Sequence, residues 1–288
     1  MMSADARILD RGYRRYAGER RGAAGARLAL YSHSLRRALG LRRGARHKIV
    51  PFGTIALCYL PAIAFVGIAA LVPKNIASDI APRYGAYYGY ISAVILLFVA
   101  SIVPDLMCTD RRSGMLGLYL AAPLDRKSYL AIKAMSIATI LAVVTLGPPV
   151  LLLIGYSFLE IGPSWPLSGL GVLLRITGGG LVLAAWYTGL GMAVASLTDR
   201  RAWAAAGTTL STLVSSTIVG VLIGNIEGPG WLVSLDLFNL PFELSRRIYR
   251  ETAQYNVSTA VVAAATLGWL CAAAATIGLR YRRLRVTR

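Results

Sequence analysis

The sequence predicts an all-α polytopic membrane protein with six transmembrane helices and both chain ends on the cytoplasmic side of a plasma membrane. Three observations predict it. Six apolar stretches each approach the roughly 20 residues that a helical span needs. Only 15% of residues are charged, against 56% hydrophobic, and the mean hydropathy is +0.57, where a soluble domain carries about 25% charge. The basic residues are also sorted. All of the 31 Lys and Arg residues except Lys74, Arg83, Arg175, Arg246, Arg247 and Arg250 lie in residues 1–49, 104–133, 200–201 and 280–288. An even number of spans puts those four segments on one side, as the positive-inside rule requires. The net charge of +18 then reads as attraction to anionic lipid headgroups. It does not call for nucleic acid.

Residues 1–25 are rich in Arg, Gly and Ala and read as a basic cytoplasmic tail. Over 26–48, Leu28, Tyr31, Leu35 and Leu39 fall at helical spacing among Arg36, Arg37, Arg42 and Arg43. That pattern predicts a basic amphipathic helix on the inner membrane surface; a solvated tail is the plainer alternative. No cleavable signal is expected, because basic and polar sequence precedes the first apolar stretch.

A six-helix transmembrane domain is expected over 49–279. The first span, about Ile49 to Val72, carries Pro51 and Pro61 and is expected to kink. A short outer loop, 73–85, leads to a second span at about Ala86 to Val103, with Tyr84, Tyr87, Tyr88 and Tyr90 at the outer interface. The third span, about Ala134 to Leu159, is interrupted by Gly147-Pro148-Pro149, and the carbonyls these prolines free must face protein or a wet cavity. After a tight outer turn, the fourth span (about Leu170 to Leu197) holds Gly178, Gly179, Gly180, Gly189 and Gly191, small enough for close helix approach. The fifth, about Ala202 to Gly224, is rich in hydroxyls. Ser211, Thr212, Ser215 and Ser216 are candidates for a substrate path, with helix–helix contact as the bland alternative. Arg175 joins them because charge at membrane depth is costly, unless it snorkels to the outer headgroups. Segment 225–256 is nearly charge-balanced and reads as outer interfacial helices. The sixth span, about Val257 to Leu279, leads to a basic tail at 280–288.

Catalytic patterns are missing from the sequence. It holds no P-loop, no nucleophile elbow and no H-E-x-x-H, so the chain is not expected to be an enzyme or to bind a cofactor itself. His33 and His47 lie in the basic region and read as surface residues. Cys58, Cys108 and Cys271 have neither metal nor disulfide spacing.

What stands out is a charged island between the second and third spans, residues 104–133. It reads Pro104-Asp105, Asp110-Arg111-Arg112-Ser113-Gly114-Met115, Pro123-Leu124-Asp125-Arg126 and Lys133. Pro104 suits a helix start, Asp105 suits its N-terminal dipole, and Gly114 permits a turn. These charges either dock a soluble partner or anchor a loop at the headgroups.

The island resembles the signature of ABC transporter permeases of the ABC-2 type. That pattern has Pro-Glu, an acid-Arg pair leading to Gly-Thr, and a Pro followed by Arg and a later Lys. Here Asp105 and Asp110 replace glutamates and Met115 replaces the Thr. The resemblance covers about thirty residues, and the six-span layout agrees with it. It implies a permease that pairs with a second copy or paralogue and with two ATP-binding subunits, on which ATP and Mg would sit. The island would then be a coupling segment, with Pro104, Asp105, Asp110, Arg111, Arg112, Gly114, Pro123, Arg126 and Lys133 coupling to the ATPase. The expected function is export of a hydrophobic or amphipathic molecule such as a drug-like compound, lipid or peptide. A non-transporting anchor of the same ancestry and a lipid-modifying membrane enzyme are the competing readings. Heavy use of Ala, Gly and Arg suits a bacterial chain from a GC-rich genome.

Overall fold

A computed structural model describes residues 22–41, 44–121 and 124–283. Residues 1–21 of the tail expected over 1–25, residues 284–288 of the tail expected over 280–288, and Arg42, Arg43 and Pro123 lie outside the described residues. Ten α-helices and one 3-10 segment are present among those described, with no strand. Six of the helices are long and apolar enough to cross a membrane. The chain is an all-α polytopic membrane protein.

Helix α1, Gly22–Ala38, buries Leu30, Ser34 and Ala38. Gly40 stops it. The amide of Leu41 bonds the Arg36 carbonyl and that of Gly40 bonds Arg37, a Schellman closure that needs the left-handed backbone found at Gly40, φ +64°. The basic helix is therefore shorter than the pattern over 26–48 suggested. It packs along α6 and α4, where Tyr31 meets Thr139 at 3.0 Å.

The first span is α2, Arg46–Leu71, and it includes Pro51 and Pro61. The Tyr87 hydroxyl donates to the Cys58 carbonyl at 2.5 Å, one turn before Pro61. Helix α3, Lys74–Ile80, occupies most of the loop that follows. Helix α4 runs unbroken over Tyr87–Arg112, passing straight through a buried Pro104. Pro104 therefore does not open a separate helix; it sits mid-helix, where its ring packs in the core and only one backbone donor is lost. Gly114, φ +69°, turns the chain into the short α5, Met115–Ala121.

Helix α6, Arg126–Phe158, is continuous despite Pro148 and Pro149. The difference from the interruption expected has a local cause. Pro149 has no amide for the Thr145 carbonyl four residues back, and the Tyr88 hydroxyl supplies the missing donor at 2.8 Å. Tyr59 donates to the nearby Val143 carbonyl at 2.9 Å. Helix α6 also starts eight residues earlier than the apolar stretch, with Asp125 as its N-cap accepting from the Ser128 amide at 3.3 Å.

Helix α7, Leu167–Leu197, is central and touches α4, α6, α8, α9 and α10. Its glycines work as contact points: a Cβ on Gly180 would stand 2.2 Å from Leu146 Cδ2 of α6. Helix α8 is Arg201–Gly224. A 3-10 segment, Gly230–Leu235, and α9, Leu240–Ile248, precede the last span, α10, Thr259–Arg283. Two ends result. The basic end gathers α1, α5, the starts of α2, α6 and α8, and the ends of α4, α7 and α10. The far end carries α3, the 3-10 segment and α9.

Candidate functional site

The island's charges converge at the basic end, and Asp110 is their hub. Its Oδ1 accepts from Arg37 Nη1 of α1 at 2.5 Å, and its Oδ2 lies 2.7 Å from Lys133 Nζ of α6. The Tyr129 hydroxyl donates to Oδ2 at 3.0 Å. The side chains of Asp110 and Lys133 are fully buried and that of Arg37 is 8% exposed. One carboxylate therefore joins three helices out of contact with water. Lys133 also lies over the rings of Tyr119 and Tyr129, at 6.0 and 5.7 Å, whose negative π-faces attract its charge.

Arg111 faces the other way, onto the end of α7. Its guanidinium donates to the carbonyls of Ala195, Ser196 and Thr198 and pairs with Asp199 at 3.3 Å. These acceptors are the ones a helix C-terminus leaves without amide partners. A cation there also meets the negative end of the helix dipole. Arg126 does the same for α10, donating to the carbonyls of Tyr281 and Arg282 at 3.1 and 3.0 Å. Asp105 completes the set. Arg37 reaches both its carbonyl, at 3.0 Å, and its carboxylate, at 3.8 Å. Arg201, at the start of α8, pairs with the same carboxylate at 3.2 Å.

Asp105, Asp110, Arg111 and Lys133 thus belong to one polar junction that ties α4 to α1, α6, α7 and α8, and the exposed Arg126 beside it ties α6 to α10. Arg112 and Gly114 stand apart from it, exposed at the α4–α5 turn. Pro104 is buried in α4 behind the junction. The sequence alone did not place Arg37 in this group. The available signal was its position on the same helical stripe as Leu30 and Ser34, the buried face of α1.

A second polar cluster lies toward the far end. The 3-10 segment and α9 dip into the bundle from that end. Trp186 Nε1 donates to the Leu237 carbonyl at 3.1 Å, Trp269 Nε1 to the Ser234 carbonyl at 2.8 Å, and the Leu237 amide to Ser215 Oγ at 3.1 Å. Ser215 is nine residues from the end of α8 and Trp269 ten residues into α10, so the tip sits ~13–15 Å below the far ends of both helices. At the tip Asp236 is fully buried. Its carboxylate accepts from the amides of Phe238 and Asn239, the Asn239 side chain and Ser216. An isolated acid between leucines was its only sequence signal.

The proposed path residues divide. Ser211 and Thr212 donate to carbonyls of their own helix. Ser215 and Ser216 hold the dipping segment. Arg175 is half-buried on the far half of α7 with no hydrogen-bond or ion-pair partner among the described residues. No group of His, Cys, Asp and Glu able to hold a metal occurs among the described residues. No protein-family model matches the chain, and no curated protein matches it.

Proposed function

We infer that this chain is the permease subunit of an ATP-driven ABC transporter of the ABC-2 type. On this reading the basic end faces the cytoplasm. The chain pairs with a second permease and with two subunits that bind ATP and Mg, and it exports a hydrophobic or amphipathic molecule. The observation that carries the reading is the polar junction. Asp105, Asp110, Arg111 and Lys133, which the motif singles out, meet in a largely buried network just before the turn into the short helix α5.

Physics gives that arrangement a use. A push on the α4–α5 turn enters α4 within one turn of Asp110 and Arg111. Buried ion pairs and helix-end caps resist separation, because breaking any one strands a charge. The ends of six helices would therefore move as a body. An ATPase that binds one arrangement better than the other shifts the balance between inward- and outward-facing states. Moving that balance from 1:99 to 99:1 takes about 5.5 kcal/mol of differential binding.

The test is recovery of partners from native membranes in mild detergents. The wild-type chain is expected to bring down a subunit that hydrolyses ATP. Arg112→Glu, which reverses an exposed charge and leaves the junction intact, is expected to lose that subunit while eluting as a folded particle. If no nucleotide-hydrolysing subunit comes down in any detergent, the reading is wrong.

A further inference from the structure

A groove of about 1400 Å³ opens sideways from the bundle between α4 and α8. Its wall is apolar, formed by Leu97 and Ala100 of α4 and Ala206 and Leu210 of α8, and its basic-end rim holds Arg112, Asp199, Arg200, Arg201 and Trp203. Asp199 is taken by Arg111 at 3.3 Å, and Arg201 by Asp105 at 3.2 Å. Arg112 and Arg200 are exposed, and neither has a carboxylate within ion-pairing distance among the described residues. The rim therefore keeps two uncompensated positive charges.

The groove has the depth of one bilayer leaflet. Leu210 lies nine residues from Arg201 and Leu97 fifteen residues from Arg112, so the wall rises ~13–22 Å above the rim. Half of a hydrocarbon core is ~15 Å. Trp203 is 65% exposed beside the arginines, where an amphipathic indole marks the boundary between acyl chains and headgroups. Alanines at 100, 205 and 206 keep the wall hollow.

We propose that this groove holds one anionic phospholipid of the surrounding bilayer, its phosphate on Arg112 and Arg200 and its acyl chains along α4 and α8. Charge selects this occupant. A second copy docking groove to groove about a two-fold axis would bring four guanidinium groups together with no acid to spare. The site needs only this chain in a bilayer, so it stands or falls separately from the transport reading. A bound phosphate would also sit beside Arg201 and Asp199, the outermost members of the polar junction.

The experiment uses the full chain in mixed micelles with brominated phosphatidylglycerol or brominated phosphatidylcholine. The Trp203 signal is the fluorescence difference between wild type and Trp203→Phe. Both lipids carry a phosphate but only phosphatidylglycerol carries a net negative charge, and each arginine facing that charge is worth roughly fivefold in binding, so the anionic lipid should quench at a mole fraction about thirtyfold lower. In the double variant Arg112→Gln, Arg200→Gln the two lipids should quench alike, while elution and melting stay those of wild type. Equal quenching of wild type by both lipids would overturn the proposal. So would a wild type whose Trp203 is quenched by neither brominated lipid yet whose melting is raised by inorganic phosphate, which would mark a simple anion site. Protection of Trp203 from both lipids in a particle of two chains would assign the groove to a second copy instead.

Discussion

Replacing Asp110 with Ala removes the counter-charge from two buried cations at once. Lys133 is fully buried and has Asp110 as its ion-pair partner, 2.7 Å away. Arg37 keeps Asp105, but at 3.8 Å rather than 2.5 Å. Breaking a buried pair from one side costs about 3–5 kcal/mol, and the Tyr129 hydroxyl, left without its acceptor, adds about 1 kcal/mol. At about 2–4 °C per kcal/mol for a chain of this size, Asp110→Ala should lower the melting temperature in detergent by roughly 10 °C or more. Asp110→Leu combined with Lys133→Met removes both charges and fills similar volume, and buried pairs replaced this way are often neutral. The double variant should therefore melt well above Asp110→Ala, with a coupling of about 2–3 kcal/mol in a double-mutant cycle. Melting curves followed by size-exclusion fluorescence would measure it. A single variant that melts within a degree or two of wild type, or a double variant as poor as the sum of its parts, would show that the junction does not hold the helix ends together.

Three further outcomes are expected. Tyr88→Phe leaves the Thr145 carbonyl without a donor and should cost about 1–3 kcal/mol; adding Pro149→Ala returns a backbone amide and should recover part of that, as thermal unfolding would show. Gly180→Ala places a methyl 2.2 Å from Leu146 Cδ2 and 3.2 Å from the Thr145 carbonyl and should cost about 1–3 kcal/mol through overpacking; Gly171→Ala, with open space around it, should melt like wild type or higher. The hydrogen bond from Ser128 holds the Asp125 carboxyl below its usual range, so this cap stabilises α6 at neutral pH and its contribution disappears as pH falls through the lowered value. Asp125→Ser should flatten that part of the acid dependence of unfolding, below pH ~4.

The six spans were legible because hydropathy is a property of each stretch alone. Their ends were less so. Helix α4 continues nine residues beyond Val103 and α6 begins eight before Ala134, since charged residues lower the hydropathy of a stretch that nonetheless stays helical. Proline was the poorest guide. Pro104, Pro148 and Pro149 read as helix boundaries or breaks, yet both helices run through them. At Pro149 the lost hydrogen bond is replaced by Tyr88, which lies 57 residues from the carbonyl it serves and so leaves no local trace. The island announced itself by its charges, but their use did not. That Asp110 meets Arg37 rather than solvent depends on how α1 lies against α4 and α6. Segment 225–256 gave short helices, as its mixed pattern suggested. Its depth was hidden because the segment satisfies its charges internally: Glu243 pairs with Arg247 at 3.0 Å, and Asp236 is saturated by its own turn and Ser216.

Arg111 and Arg126 carry a further consequence for the order in which the chain assembles. Chains are made from the N-terminus. Asp110 can find Arg37 as soon as α4 is in place, for α1 is already made. Arg111 must wait until Thr198 has emerged, and Arg126 until Arg282 has. The basic end is therefore a set of latches that close in sequence, each arginine held ready for a helix still to be synthesised. The last to close grips the final turn of α10, so the bundle cannot be locked until all six spans have been made.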